Sequence, residues 1–217
     1  MKVVLITMLL AELTVMAQVD GFDRGTPGSL PPGWTTAMTH AGGSPKWAIV
    51  RDPSAPSAPS VLAQLSRDAT AGRFPLAIWN ATVVQNGEVS VAFKTVDGSV
   101  DQAAGLVWRY IDPNNYYIAR ANALENNVAV YKVENGTRLS IAPKGLPSRS
   151  YGVKHDVPRG RWNTLRVIFR EQLYSVFLNG SVVLDAEDRT FLQAGKTGLW
   201  TKADSVTYFD NFRVIRK

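Results

Sequence analysis

The sequence predicts an all-β chain, an antiparallel sandwich or barrel, on three observations. Short apolar and β-branched runs recur at regular intervals. Turn dipeptides separate most of them, and the 17 Gly and 12 Pro fall mostly between the runs, which leaves little room for long helices. With 217 residues, 45% hydrophobic and 19% charged, the chain has the composition of one globular domain with a sizeable core.

Lys2 precedes an apolar run, Val3 to Leu10, and Val15-Met16-Ala17 supplies small residues for signal-peptidase cleavage. Residues 1–17 therefore read as a signal peptide, giving a mature single domain over 18–217, secreted or periplasmic, although Glu12 sits awkwardly beside the apolar run. No later stretch reaches the roughly 20 apolar residues of a membrane span. Gln18 to Arg51 is turn-rich and leads into a first strand near Trp34, and "DPSAPSAPS" over 52–60 is a low-complexity loop too short for a domain linker.

The strand-like runs follow: SVLAQLS, LAIWNATVV, GEVSVAFKTV, AAGLVWRYI, NYYIARANA, NVAVYKV, TRLSIA, WNTLRVIFR, LYSVFLNGSVVLDA, GKTGLWTK and VTYFDNFRVI. Asn86-Gly87, Asp97-Gly98, Asp112-Pro113-Asn114-Asn115, Asn135-Gly136 and Asn179-Gly180 mark turns, and Asn-Gly or Asp-Gly between such runs predicts hairpins, because the tight turn needs positive φ at its centre. Residues 188–195, "DRTFLQAG", read as a helical turn or an irregular link.

The exclusions are as informative. With no Cys, thiolate chemistry and cysteine zinc sites are ruled out, and the fold rests on its core alone. Gly195-Lys196-Thr197 has Thr190 where a phosphate-binding loop needs its first glycine. His40 and His155 have no metal-ligand spacing, and no serine elbow accompanies them. The net charge of +6 and pI near 9.6 come from scattered Lys and Arg, which argues against a nucleic-acid partner and suits an acidic polysaccharide or a cell-surface contact better. Asn80, Asn135 and Asn179 head glycosylation sequons.

The stretch "GLVWRYIDPNNYYIARANALENN", residues 105–127, carries the functional signal. By strand alternation Leu106, Trp108 and Tyr110 share one face, with Val107 and Arg109 on the other; Tyr116, Ile118, Arg120 and Asn122 share a face opposite Tyr117, Ala119 and Ala121. Aromatic rings stack on the apolar faces of sugars, while Arg, Asn and Glu select hydroxyl patterns. The expected glycan-binding set is Trp108, Arg109, Tyr116, Arg120, Asn122, Glu125, Trp200 and Lys202; the competing reading places the aromatics in the core and makes Arg120 and Glu125 an ion pair. Among the candidate acids Glu125, Asp112, Asp185, Asp204 and Asp210, none forms a close-spaced pair on one strand face; Glu125 or Asp204 is the best candidate for an acid or base. Asp210, within an otherwise apolar terminal strand, is a candidate calcium ligand together with Asp23 or Asp20, with a hydrogen bond to backbone amides as the alternative.

The ordered pieces "GLVWRY", "DPNNYY", "WNTLRV", "FLNG" and "GLW…FDNFRV", over about residues 75–215, resemble the concanavalin A-like lectin/glucanase superfamily, most of all its secreted bacterial 3-keto-disaccharide hydrolase and uncharacterised-domain branch. The resemblance implies a jelly-roll of two curved antiparallel sheets whose concave face commonly binds carbohydrate. The E-x-D-x-x-E pattern of laminarinase-type relatives is missing, so no catalytic residue carries over. The expected function is an exported, monomeric carbohydrate-binding domain without catalysis; a hydrolase of a modified, 3-keto sugar is the alternative, and a structural or adhesion module the third reading.

Overall fold

The computed structural model describes residues 17–217, so the predicted leader, apart from Ala17, lies outside the described residues. Sixteen strands follow one another: β1 (Ala17–Asp20), β2 (Trp34–Thr39), β3 (Trp47–Arg51), β4 (Ser60–Gln64), β5 (Phe74–Val84), β6 (Gly87–Asp97), β7 (Ala103–Asp112), β8 (Asn115–Asn122), β9 (Asn127–Glu134), β10 (Thr137–Ile141), β11 (Val153–Lys154), β12 (Asn163–Arg170), β13 (Leu173–Leu178), β14 (Ser181–Glu187), β15 (Gly195–Trp200) and β16 (Val206–Arg216). Every run predicted as a strand contains one, and residues 188–194 are irregular. No helix long and apolar enough to cross a membrane occurs among the described residues.

Two sheets form the jelly-roll sandwich. The first has the order β14-β13-β12-β6-β16-β4-β3, with β1 on β16; the second has the order β10-β9-β8-β7-β15-β5-β2, with β11 on β9. All the strand pairings are antiparallel. Hairpins form at Asp112-Asn115, Asn135-Gly136 and Asn179-Gly180. At Asn86-Gly87 and Asp97-Gly98 the expectation fails: β5, β6 and β7 alternate between the sheets, so both turns are crossovers. A tight turn sets only the local reversal of the chain, and what the next strand pairs with is decided by long-range burial.

The core between the sheets is aromatic. Trp108 stacks on Tyr117 and Phe169 and meets Tyr174 edge-on, while Trp34, Trp79 and Phe212 form a second group. Ala104, Ala119 and Ala121 line the same inner face, where small side chains leave room for these rings.

A second apolar cluster covers the outer face of the second sheet, with Phe74, Ile78, Val107, Tyr116, Ile118, Tyr131 and Trp200 among its members. This sheet is strongly curled. Four strand spacings separate β2 from β8, about 19 Å on a flat sheet, yet the Thr39 hydroxyl at the end of β2 lies 2.6 Å from the Tyr116 hydroxyl on β8. His40 closes the curl further, with Nδ1 on the Gly72 carbonyl and Nε2 on the Gly136 carbonyl. The outer face is therefore concave, and its middle is filled by the protein's own side chains.

Candidate functional site

The β8–β9 turn builds the most polar part of the concave face. Asn122 Oδ1 accepts the amides of Leu124 and Glu125, an Asx turn that fixes the Glu125 backbone. Arg120, two positions earlier on the same face, donates through Nη2 to Glu125 Oε2 at 2.8 Å and to Asn127 Oδ1. Asn127 Nδ2 also reaches Glu125 Oε2 at 3.0 Å. Burial alone would raise the Glu125 pKa, but the Arg120 charge and these hydrogen bonds outweigh it and hold the carboxyl below its usual value.

Beside this pair opens a cleft of about 720 Å³ lined by Leu124, Glu125, Asn127, Tyr151, Gly152 and Lys154. Lys154, on β11, donates to the Glu125 carbonyl at 2.9 Å. Tyr151 is 48% exposed and stands over the Arg120 guanidinium, 5.6 Å from its ring centroid. Gly152 permits this approach: its φ is +62°, and a Cβ there would lie 2.4 Å from the Val128 carbonyl.

Asn122 and Lys202 join the cluster through Asp101, whose carboxylate accepts Asn122 Nδ2 and Lys202 Nζ, both at 2.6 Å. Asp204 holds the loop that carries Asp101. Its carboxylate accepts the amides of Ser99, Val100 and Asp101 and the Ser99 hydroxyl. Burial raises its pKa and the three amides lower it further, so the carboxyl ends below its ordinary value. A carboxylate saturated by backbone donors cannot deliver a proton to a substrate, so Asp204 is corrected from a candidate acid or base to an anchor.

Four expected ligand residues lie elsewhere. Trp108 is 0% exposed in the inter-sheet core. Arg109 is also buried, and its guanidinium binds the Gln85 and Phe191 carbonyls above the Phe169 and Tyr174 rings. The register between β7 and β8 shifts after Trp108, and Arg109 has φ +50°, so a bulge turns its side chain inward and sends Tyr110 to the concave side, reversing the expected alternation. Tyr116 and Trp200 do face the concave side, but both are wholly buried in the cluster that fills it. No ligand reaches these four side chains in this arrangement. Of the expected set, Arg120, Asn122, Glu125 and Lys202 come together; Asn127, Tyr151 and Lys154 join them without having been anticipated. Tyr151 and Lys154 lie in a turn-rich stretch with no periodicity to assign them a face, and Asn127 opens a strand.

Asp210 and Asp23 meet at the other end of the molecule. Asp210 accepts the Ser57 amide and hydroxyl and the Asn211 amide, the hydrogen-bonded alternative to a metal. Ser57 Oγ, Asp23 Oδ2 and Asn211 Oδ1 all lie within 3.7 Å of the point that a Cβ on Gly21 would occupy. Burial, with the nearby Asp23 charge adding to it, leaves the Asp210 carboxyl above its ordinary value despite those hydrogen bonds. Such an oxygen-rich cluster with two acids fits a hard cation. Carbonyl and amide oxygens would have to complete its shell, because no group of three acidic or histidine side chains occurs among the described residues.

Among solved structures, the chain is similar to the carbohydrate binding module CBM66 from Bacillus subtilis, with 21% identity over 83% of this chain and 94% of that one and a TM-score of 0.61. A GH43 protein from Bacillus licheniformis matches at 16% identity and TM-score 0.58, over 92% of this chain but only 39% of that one. A Bacillus subtilis protein of unknown function with a galectin-like fold matches at 12% identity and TM-score 0.53, over 85% of this chain and 90% of that one. These likenesses establish the fold. No curated protein matches the sequence. The profile described as a 3-keto-alpha-glucoside-1,2-lyase-like domain matches residues 22–215, nearly the whole described chain, and the chain belongs to that family within the jelly-roll superfamily.

Proposed function

We propose that this chain is an exported carbohydrate-binding domain, without catalysis of its own, that takes a glycan in the cleft beside Glu125. The observation that carries the reading is the cleft lining: a half-exposed Tyr151 ring beside a carboxylate, an amide and an ammonium group. A ring supplies the stacking surface and the polar groups supply the hydrogen bonds that orient a sugar. Its likeness to a carbohydrate binding module over 94% of that module is consistent with this use of the fold. The domain is taken as 18–217 after cleavage at Ala17, and Asp23 and Asp210 as ligands of a structural calcium ion.

The test is isothermal titration against a panel of neutral and acidic oligosaccharides, with Tyr151→Ala and Glu125→Gln beside the wild type. Loss of a stacked ring costs about 1 kcal/mol or more, so affinity should fall about fivefold or more in Tyr151→Ala with the melting temperature held. Wild-type affinity in both variants would place the glycan elsewhere.

The family description supports a second reading, elimination across C1–C2 of a 3-keto-α-glucoside. The base would remove the C2 proton, acidified by the neighbouring ketone, and the C1 oxygen would leave with the aglycone. Glu125 is the one candidate acid on the cleft, and it is ionised, as a base must be. The lowered pKa also makes it a weak base, which is why binding is preferred. Appearance of an enone ultraviolet band from a 3-keto-α-glucoside, lost in Glu125→Gln, would reverse that preference.

A further inference from the structure

Three Asn-Gly pairs occur in the chain, at residues 86–87, 135–136 and 179–180. Such a pair is chemically labile, because a glycine without a Cβ leaves its amide nitrogen free to approach the asparagine side-chain carbon. The structure holds the three very differently. Asn86 Oδ1 accepts the Glu171 amide at 2.8 Å, and Gly87 is laddered between Phe169 and Arg216, where a Cβ would lie 2.2 Å from the Ile215 carbonyl. Asn179 is exposed at its hairpin tip, but both ends of its amide are held: Oδ1 accepts the Thr164 amide at 2.9 Å and Nδ2 donates to Asn163 Oδ1 at 3.0 Å. Asn135 is exposed at the tip of the β9–β10 hairpin, and its side-chain amide makes no hydrogen bond among the described residues. Its turn is held through the backbone instead. The Asn135 N–H donates to Asn115 Oδ1 at 3.1 Å, the Gly136 N–H donates to the Asn114 carbonyl at 3.0 Å, and the Gly136 carbonyl accepts His40 Nε2 at 2.6 Å.

We infer that Asn135 is a site of spontaneous covalent modification, and that its conversion to isoaspartate loosens the closure of the concave face. The Gly136 nitrogen bonds to Asn135 Cγ, the Cγ–Nδ2 bond breaks, and ammonia leaves with the proton that Gly136 gives up. Water then opens the resulting five-membered imide at either carbonyl, giving aspartate or isoaspartate; nothing is oxidised or reduced. At Asn135 one hydrogen bond, from Gly136 to Asn114, has to open for the attack, whereas at Asn179 two side-chain bonds have to break. Isoaspartate carries the main chain through the former side-chain carbon, so it adds a backbone atom to a two-residue turn set by the Glu134–Thr137 pair. Gly136 then loses its ties to Asn114 in the β7–β8 turn and to His40 just past β2, the contacts that draw the curled second sheet together. The inference is independent of which ligand that face takes.

The experiment incubates the purified chain at mildly alkaline pH, native and in denaturant, and follows the amide-to-acid mass gain of each Asn-Gly peptide by mass spectrometry. In denaturant the three sites share one local chemistry and should convert at similar rates. In the native chain Asn135 should convert about fivefold or more faster than Asn179, for the difference of one hydrogen bond, and Asn86 should be slowest. A native chain in which Asn135 converts no faster than Asn179 or Asn86 overturns the proposal. The isoaspartate form, separated by chromatography, should melt roughly 4–8 °C below the wild type for the two ties lost. Asn135→Asp adds the same charge without the extra backbone atom, so it should melt with the wild type. An isoaspartate form with the wild-type Tm overturns the loosening, and an Asn135→Asp variant that melts as low as the isoaspartate form overturns its backbone cause.

Discussion

Replacing Asp204 by Asn separates an anchoring role from a chemical one. The carboxylate receives the Ser99 amide at 2.7 Å, the Asp101 amide at 2.9 Å and the Val100 amide at 3.1 Å, with the Ser99 hydroxyl at 2.9 Å. Hydrogen bonds to a charged group contribute about 1.5–3 kcal/mol each. Asn keeps one acceptor oxygen and turns an NH2 toward an N–H, so one or two of these bonds are lost, about 3 kcal/mol in total. For a domain near this size each kcal/mol shifts Tm by about 2–4 °C, so the variant should melt roughly 6–12 °C lower at pH 7 by calorimetry. The sign with pH follows from the lowered carboxyl pKa. Its stabilisation is complete above the unfolded-state value of about 3.9 and disappears as pH falls through the lower folded-state value, so the two melting curves should converge below about pH 4. The loop also carries Asp101, which holds Asn122 and Lys202, so glycan affinity should fall together with stability. A variant melting within 2 °C of the wild type at pH 7, or a gap unchanged by acid, would refute the anchoring argument.

Trp108→Ala should lose about 3–5 kcal/mol, because it removes the ring that stacks on Tyr117 and Phe169 and meets Tyr174; urea unfolding of the variant measures it, and an unchanged midpoint would restore Trp108 to the surface residues. If calcium sits between Asp23 and Asp210, 100 times its Kd should stabilise the chain by about 2.7 kcal/mol. Melts in calcium and in EDTA should then differ by several degrees for the wild type and coincide for Asp210→Asn; coinciding wild-type melts would dismiss the ion. Gly152→Ala forces a Cβ toward the Val128 carbonyl at positive φ, so it should displace Tyr151 and weaken glycan binding well beyond its effect on Tm, read by titration and calorimetry together.

The sandwich was legible because each strand announces itself locally, by alternation within and turn residues between. The sheet each strand joins is a long-range matter, which is why Asn86-Gly87 and Asp97-Gly98 looked like hairpins and are crossovers. The inner and outer faces of β8 were also legible: Ala119 and Ala121 pack inward, Ile118 and Arg120 outward. On β7 the same rule failed after Trp108, since one bulged residue inverts the parity of all that follow, and nothing in "VWRYID" marks the bulge. Arg109 is long and charged, which favours reading it as exposed, yet two backbone carbonyls left open by the Gln85 turn and the Phe191 loop give it partners inside.

The larger divergence concerns where an aromatic-rich sheet face can bind anything. Tyr116, Tyr131 and Trp200 have the composition of a sugar platform, but the curl that brings Thr39 to Tyr116 closes the middle of the face and converts those rings into a second core. What stays reachable is the end of the face, where the β8–β9 turn and the Tyr151 loop stand apart and Glu125 remains 38% exposed. Curvature is a property of the whole sheet and leaves no mark on any one strand, so the residue types could not show that the middle of this face is filled. The buried rings still shape that end: Tyr131 and Tyr151 pack against the Arg120 guanidinium and hold it where it reaches Glu125.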